Sequence, residues 1–388
     1  MMFDATAARS SHMPQTRAVE IRIHRSIAEI AAPDWDACFP GNPEGHAYLL
    51  ATERAGIEGF GWRYLTAQEG GRIIAAMPAF LTDYALETTV DNPRLRGIVA
   101  RIRKSWRRFL VLKLACLGSP CTETGRPGFH PLLDEARRPT LMAQLIAAFE
   151  AMAKAEGCAL RGLKDMPETE LPALRPVIDA AGYAALPGLA TAWLDIDFDS
   201  EDDYLAQLSA RTRKDMRRKL KSRAQVSVEH VTDLAPVLDR YMALYNATRD
   251  RSDWQFEALT ADYFTAILRD MPGRSFCTLY RVEGRLLAAN FFVANEDVLI
   301  DKFFCMDAEE GRAYNLYYLS WFNNIAYCLE HGIARYQSGQ AYYDNKLRLG
   351  SQLTANFMFF RHRNPILQRV LRWVSPLFAI EESAEKSE

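Results

Sequence analysis

Between Gln337 and Gly350 the sequence gathers Gly339, Gln340, Tyr343, Asp344 and Lys346 into one short stretch. A lysine can stabilise negative charge developing on a carbonyl oxygen without itself reacting, and Asp344 or Tyr343 could take the proton of an attacking amine. Flanked by a strand ending near Tyr336 and another beginning near Leu353, the stretch reads as a loop at strand ends, where catalytic groups often lie. A surface loop with solvated Lys346 and Arg348 fits the same residues.

Two further segments suit anions. Arg211 to Arg223 carries eight basic residues and one acid, and Leu205, Leu208, Met216 and Leu220 give it an apolar stripe at the spacing of a single amphipathic helix. So many like charges repel within a Debye length, a cost that a phosphate ligand offsets; a solvated helix face is the alternative. Farther on, a strand from Val298 to Cys305, a loop containing Gly311, Arg312 and Ala313, and a helix from Tyr314 predict an anion site of free backbone N–H groups and helix dipole. A plain connecting loop is the alternative there. A second basic run, Arg94, Arg96, Arg101, Arg103, Lys104, Arg107, Arg108 and Lys113, is interleaved with Ile102, Trp106 and Phe109 and suits acidic lipid, tRNA backbone or water equally.

These segments need a scaffold. At 388 residues the chain exceeds what one core usually organises, which predicts two domains. A faint repeat agrees: Gly71 to Ala76 (GRIIAA) falls on Gly284 to Ala289 (GRLLAA), each within a hairpin pattern. A long helix ending at Gly follows each hairpin, at Thr140–Glu156 and Tyr314–Glu330, and leads into a short apolar strand. The first half is longer, so residues 82–120 read as a basic insertion. The division expected is 1–18 as a frayed N-terminus, 19–187 and 188–366 as the two domains with a boundary near Pro187 and Gly188, and 367–388 as a tail.

Composition excludes several classes. Apolar residues at 49% argue against disorder, and a formal net charge of −2 leaves anion affinity to local clusters, with no call for DNA. The N-terminus lacks the form of a secretory signal, and the apolar stretch Phe109–Leu117 is broken by Lys113, so neither export nor a membrane span is expected. Seven cysteines without a CxxC pair read as reduced core residues, and no histidine pattern supports a metal. The expected location is cytoplasmic, or peripheral to the inner face of the membrane. A GxGxxG after a strand and a GxSxG elbow are both missing, which disfavours a dehydrogenase or hydrolase.

In order, the basic helix RxRKDxRRKxK at Arg211–Lys221, the GRLLAA hairpin, the strand–helix pair and the terminal YxxKxxxG at Tyr343–Gly350 resemble the BioF2-like and FemAB-like branch of the Gcn5-related N-acyltransferase (GNAT) superfamily. The likeness runs from about residue 19 to 365. It implies an α/β (α+β) fold of two tandem GNAT-like domains, each a mixed, mostly antiparallel sheet flanked by helices. It implies acyl-CoA as donor, its pyrophosphate on Gly311, Arg312, Ala313 and Tyr314, where Gly311 and Ala313 fit the family's Q/R-x-x-G-x-G/A pattern and Ala308 stands at its first position. Lys346 is implied to stabilise the transition state, and Arg213, Arg217 and Gln340 to bind substrate. The acceptor would be an amine of a small molecule or a lipid-linked cell-envelope precursor, attacking the donor directly in a ternary complex. One alternative takes aminoacyl-tRNA as donor and a peptidoglycan or peptide precursor as acceptor. Another is a non-catalytic tandem binding module in polysaccharide biosynthesis.

Overall fold

The computed structural model describes residues 18–85, 101–102, 111–251 and 256–373. The expected frayed N-terminus up to 17, the tail from 374 and most of the second basic run lie outside the described residues.

Strands from both halves join in one sheet, in the order β1-β2-β3-β4-β6-β13-β7-β12-β11-β10-β9-β8, with β5 paired to β3 off that path. In the first half β1 (Glu20–His24), β2 (Phe60–Glu69), β3 (Arg72–Ala85) and β4 (Val111–Leu117) are antiparallel neighbours. The two helices α1 (Ala32–Asp36) and α2 (His46–Arg54) lie between β1 and β2, and β5 is Gly128–Phe129. The long helix α3 (Arg138–Ala155) then carries the chain to β6 (Leu160–Pro167), parallel to β4, and α4 (Leu171–Ala180) follows.

The second half repeats this plan. After α5 (Glu201–Gln207), α6 (Ala210–Lys219), β8 (Ser227–Val231), α7 (Leu238–Arg249) and α8 (Ala261–Asp270), the chain forms β9 (Ser275–Val282), β10 (Arg285–Ala294) and β11 (Val298–Met306) as antiparallel neighbours. A short α9 (Glu310–Ala313) and the long α10 (Leu316–His331) lead to β12 (Arg335–Gly339), parallel to β11. The repeated hairpins share a turn: Gly70 and Gly71 have φ of 60° and 82°, and Glu283 and Gly284 have 50° and 78°. Two consecutive left-handed residues make the tight turn whose twist matches paired strands, and glycine favours it.

The halves exchange their last strands. β7 (Ala184–Asp195) leaves the first half and pairs with β12 of the second, while β13 (Gln352–His362) returns to pair with β6 of the first; β7 and β13 pair with each other at the midline. Pro187 and Gly188, expected near a boundary, therefore lie inside β7. Phe359, a residue of the second half, is buried among Leu145, Phe149 and Leu163 of the first. A further helix, α12 (365–373), follows β13.

Three sequence expectations change in detail. The stripe Leu205–Leu220 spans two helices, because Ser209 accepts a hydrogen bond from the Thr212 N–H and starts α6 afresh after an extended Leu208. Most of Phe109–Leu117 is β4, which narrows the first half's extra segment between β3 and β4 to 86–110. The second-half helix begins at Leu316, not Tyr314, since Asn315 at its N-cap is left-handed.

Because β13 supplies core to the other half, the two halves should unfold together. Phe359→Ala is expected to cost about 3–5 kcal/mol and to leave a single cooperative transition in chemical denaturation; two separated transitions would contradict the shared sheet.

Candidate functional site

The exchanged strands bring charged groups from both halves to one place. Lys346 stands on α11 (Tyr343–Arg348), not in an open loop, and is 5% exposed. Burial pushes its ammonium down to about 8, against the pull of Glu123 and Asp301. Neither carboxylate is in ion-pair contact with it, and its ammonium has no hydrogen-bond partner among the described residues. A buried, unpaired cation is costly to keep, and such groups are candidates for functional sites.

Glu123 sits on the loop after β4, and Gln337 donates a hydrogen bond to its carboxylate while Gln340 donates to its carbonyl at 3.2 Å. Burial raises the Glu123 carboxyl despite the charge of Lys302. Asp301, in β11, accepts hydrogen bonds at Oδ2 from Asn290 (2.7 Å) and Tyr336 (3.1 Å), and Asn324 in turn donates to the Tyr336 hydroxyl. Burial pushes Asp301 up to about 7 against those bonds. Its Oδ1 is buried with no hydrogen-bond partner.

Lys302 is the contrasting lysine. The register of β11 slips between Phe291 and Phe292 of β10, leaving Lys302 as the extra residue of a bulge. Bulges re-aim side chains near functional sites. Lys302 pairs with Glu44, just before α2 of the first half, and donates to the Cys121 carbonyl at 2.9 Å. Tyr48 donates to the same carbonyl and shares a hydrogen bond of 2.8 Å with Tyr263 of α8. Although burial opposes its charge, Glu44 leads the groups that hold Lys302 well above an ordinary lysine. Lys302 thus locks the halves together, whereas Lys346 is left uncompensated.

The backbone that aims Lys346 is strained and held. β12 ends at Gly339, with φ 79°, where an added Cβ would lie 3.1 Å from a Glu123 carboxylate oxygen. Ala341 and Tyr342 follow at φ 77° and 54°, conformations that cost non-glycine residues about 1–2 kcal/mol each. α11 is fixed by Tyr343 donating to the Ala190 carbonyl (2.9 Å), Tyr318 donating to Asn345 (3.0 Å) and Arg348 donating to Asp215 (2.6 Å).

Other expected residues fall as follows. The Tyr343 hydroxyl serves the Ala190 carbonyl, and Asp344 is exposed, away from the buried carboxylates. Gln340 also donates to the Leu189 carbonyl, so it ties the Glu123 loop to β7. Gly311, Arg312 and Ala313 lie in α9 and Tyr314 caps its end, and amides here are used internally: Gly311 on Asp307, Ala313 on Glu309 and Tyr314 on Glu310. Asp307 also accepts from the Glu309 and Glu310 amides at Oδ1, and Arg312 and Ala313 are exposed. An acid-rich turn with engaged N–H groups offers a pyrophosphate little.

Arg213 donates to the Ala206 carbonyl, while Arg217 is exposed on α6. Nearby, Arg211, Thr212, Asp215 and Arg348 line a depression of about 580 Å³. Arg218 and Arg348 hold Asp215 down at about 2. Lys219 lies 3.3 Å over the ring of Tyr318, at the start of α10. Among the described residues no cluster could hold a metal ion.

Sequence reasoning passed over Glu44, Glu123, Asp301 and Lys302. The one signal available was the Asp301–Lys302 pair interrupting the otherwise apolar strand Val298–Met306.

A family model described as peptidoglycan biosynthesis/recognition matches residues 26–376. The chain belongs to the FemAB-like family. A protein of Mycobacterium tuberculosis named putative 8-amino-7-oxononanoate synthase 2 is 24% identical over 330 residues, covering 82% of this chain and 42% of its own length. The chain thus spans less than half of that relative. Among solved structures, FemX superposes with a TM-score of 0.61 at 14% identity, over 91% of this chain and 100% of FemX. A tandem GNAT protein from the clavulanic acid biosynthesis pathway gives 0.54 at 16%, over 90% and 99%. The fold of this FemAB-like chain is the one it shares with FemX and the tandem GNAT protein.

The Glu44–Lys302 pair is buried at both ends, each side chain 5% exposed. Lys302→Met should therefore cost about 3–5 kcal/mol by stranding the Glu44 carboxylate, and adding Glu44→Leu should recover part of it. Denaturation midpoints of the three proteins check this; an unchanged midpoint in the single variant would contradict the buried pair.

Proposed function

We propose that this FemAB-like protein transfers an acyl group to an amine, with Lys346 as the group that stabilises the developing oxyanion. The observation that carries the reading is the buried side chain of Lys346, unpaired among the described residues yet within electrostatic reach of Glu123 and Asp301. The neutral acceptor amine attacks the donor carbonyl carbon, the carbonyl electron pair moves onto oxygen, and Lys346 meets that charge in a low-dielectric setting where it counts most. The amine proton passes to Asp301, whose Oδ1 is unpartnered and whose carboxyl is poised near neutrality, in place of the exposed Asp344. Collapse of the intermediate expels the carrier as thiolate or ribose hydroxylate. No covalent enzyme intermediate is needed, so positioning supplies much of the rate.

The carrier's phosphates go to the basic face of α6, beside Arg211, Arg217 and the depression that reaches Arg348, two residues from Lys346. Acyl-CoA is the first donor to test. The closed, acid-rich α9 favours a second reading, aminoacyl-tRNA, which α6 could grip without a pyrophosphate loop. The acceptor on either reading is an amine of a small molecule or of a cell-envelope precursor.

Calorimetric titration of acetyl-CoA and free CoA at low and high salt separates the donors: saturable binding weakened by Arg211→Gln or Arg217→Gln supports CoA, and no heat directs the test to charged tRNA, whose binding should fall steeply with salt. With a competent donor, Lys346→Met should lower turnover by about a hundredfold or more with the fold intact; wild-type turnover would sink the assignment. Asp301 must be ionised and Lys346 protonated, so activity should be bell-shaped with limbs near about 7 and about 8. Asp301→Asn should remove the acid limb and Lys346→Arg should carry the alkaline limb upward; limbs unmoved by either would contradict these roles.

A further inference from the structure

α12 is amphipathic in the wrong sense for a helix packed on a soluble protein. Its inward residue is polar: Gln368 is 8% exposed, donates to the Gly182 and Phe360 carbonyls and accepts from the His362 N–H at 2.6 Å. Arg372 adds a hydrogen bond to the Gly182 carbonyl at 2.8 Å. The apolar residues face out instead, with Ile366 68%, Val370 51% and Trp373 80% exposed at the i, i+4, i+7 positions of one face and Leu367 48% exposed beside them. A surface helix normally buries such a stripe. We propose that α12 docks this protein onto an anionic lipid surface, with Ile366, Val370 and Trp373 entering the interface and the neighbouring arginines meeting lipid phosphates.

Charge picks out this partner. Arg361, His362, Arg363, Arg369 and Arg372 line a depression of about 260 Å³ against the helix, although the whole chain carries a formal net charge of −2. An apolar stripe with tryptophan at its edge and arginines alongside is the composition that lies in a membrane interface plane. Nucleic acid would use the arginines but offer nothing to the outward Ile366 and Val370. A second copy packed isologously through this face would set one arginine cluster against another, which repels.

The strand ends that flank a second basic segment lie at the same end of the sheet. β4 begins, β6 begins and β13 ends at one end of the sheet, where the Arg363 N–H donates to the Ala159 carbonyl and the Ala159 N–H to the Lys113 carbonyl, both at 2.9 Å. Ala85 and Val111, which pair across β3 and β4, bracket the segment 86–110 at that same end. Its sequence carries Arg94, Arg96, Arg101, Arg103, Lys104, Arg107 and Arg108 with Trp106 and Phe109. Among the described residues at this end of the sheet, α12 is the element that presents an exposed apolar face.

The test floats the full-length protein with vesicles of phosphatidylcholine alone or mixed with phosphatidylglycerol. The protein should rise with the mixed vesicles and not with pure phosphatidylcholine. The triple variant Ile366→Ser, Val370→Ser, Trp373→Ser should reduce that partition about tenfold or more, and Arg363→Gln with Arg369→Gln should reduce both binding and its salt sensitivity. All five side chains are exposed, so thermal melting should not move. Absence of the wild type from the anionic vesicle fraction overturns the proposal, as does undiminished binding by the triple variant. A dimer in sedimentation velocity that the triple variant abolishes, without lipid binding, would make this face an interface between copies instead.

Discussion

An ammonium group withdrawn from water without a paired anion is expensive, and the interior around Lys346 is arranged around that cost. Burial disfavours the charged lysine, while Glu123 and Asp301 pull the other way from beyond ion-pair reach. The result is a cation weakly held by its own protein. Direct pairing, as between Lys302 and Glu44, would have given a structural clamp instead. The two lysines stand close in the same fold and differ in whether an oxygen already occupies them.

That arrangement depends on the strand exchange. Asp301 comes from β11 and Lys346 from α11, both in the second half, but Glu123 belongs to a loop of the first half, bound through Gln337 and Gln340. With β7 and β13 crossing between the halves, the sheet is continuous and the two sides cannot hinge apart at the midline without breaking ladder hydrogen bonds. The Lys302–Glu44 pair and the hydrogen bond between Tyr48 and Tyr263 also fasten the two halves together. Positioning of the kind that acyl transfer needs, within fractions of an ångström, suits such a frame.

Much of the frame was legible in the sequence because it is local. The two GRxxAA hairpins, the long helices ending at Gly157 and Gly332, and the strands after them all follow from turn chemistry and periodicity over a few residues. Lys346 was singled out because the stretch Gln337–Gly350 gathers residues of several chemistries. The exchange of β7 and β13 was not legible, because strand partners chosen across more than a hundred residues leave no local mark. Glu44 and Glu123 were missed for the same reason: each is a lone acid in a loop until the fold sets it beside a lysine from far along the chain. At the Gly311 loop a local pattern suggested open amides, whereas Asp307, Glu309 and Glu310 accept from those of Gly311, Ala313 and Tyr314.

The central claim is that Lys346 is a buried, unpaired cation, and its ionisation reports this directly. Selective ¹³C labelling of lysine, with the Lys346 Cε signal assigned by its loss in Lys346→Arg, gives a titration curve for this one ammonium by NMR. A midpoint at about 8 is expected. A midpoint near the ordinary lysine value of 10.5 would place Lys346 in water and contradict it.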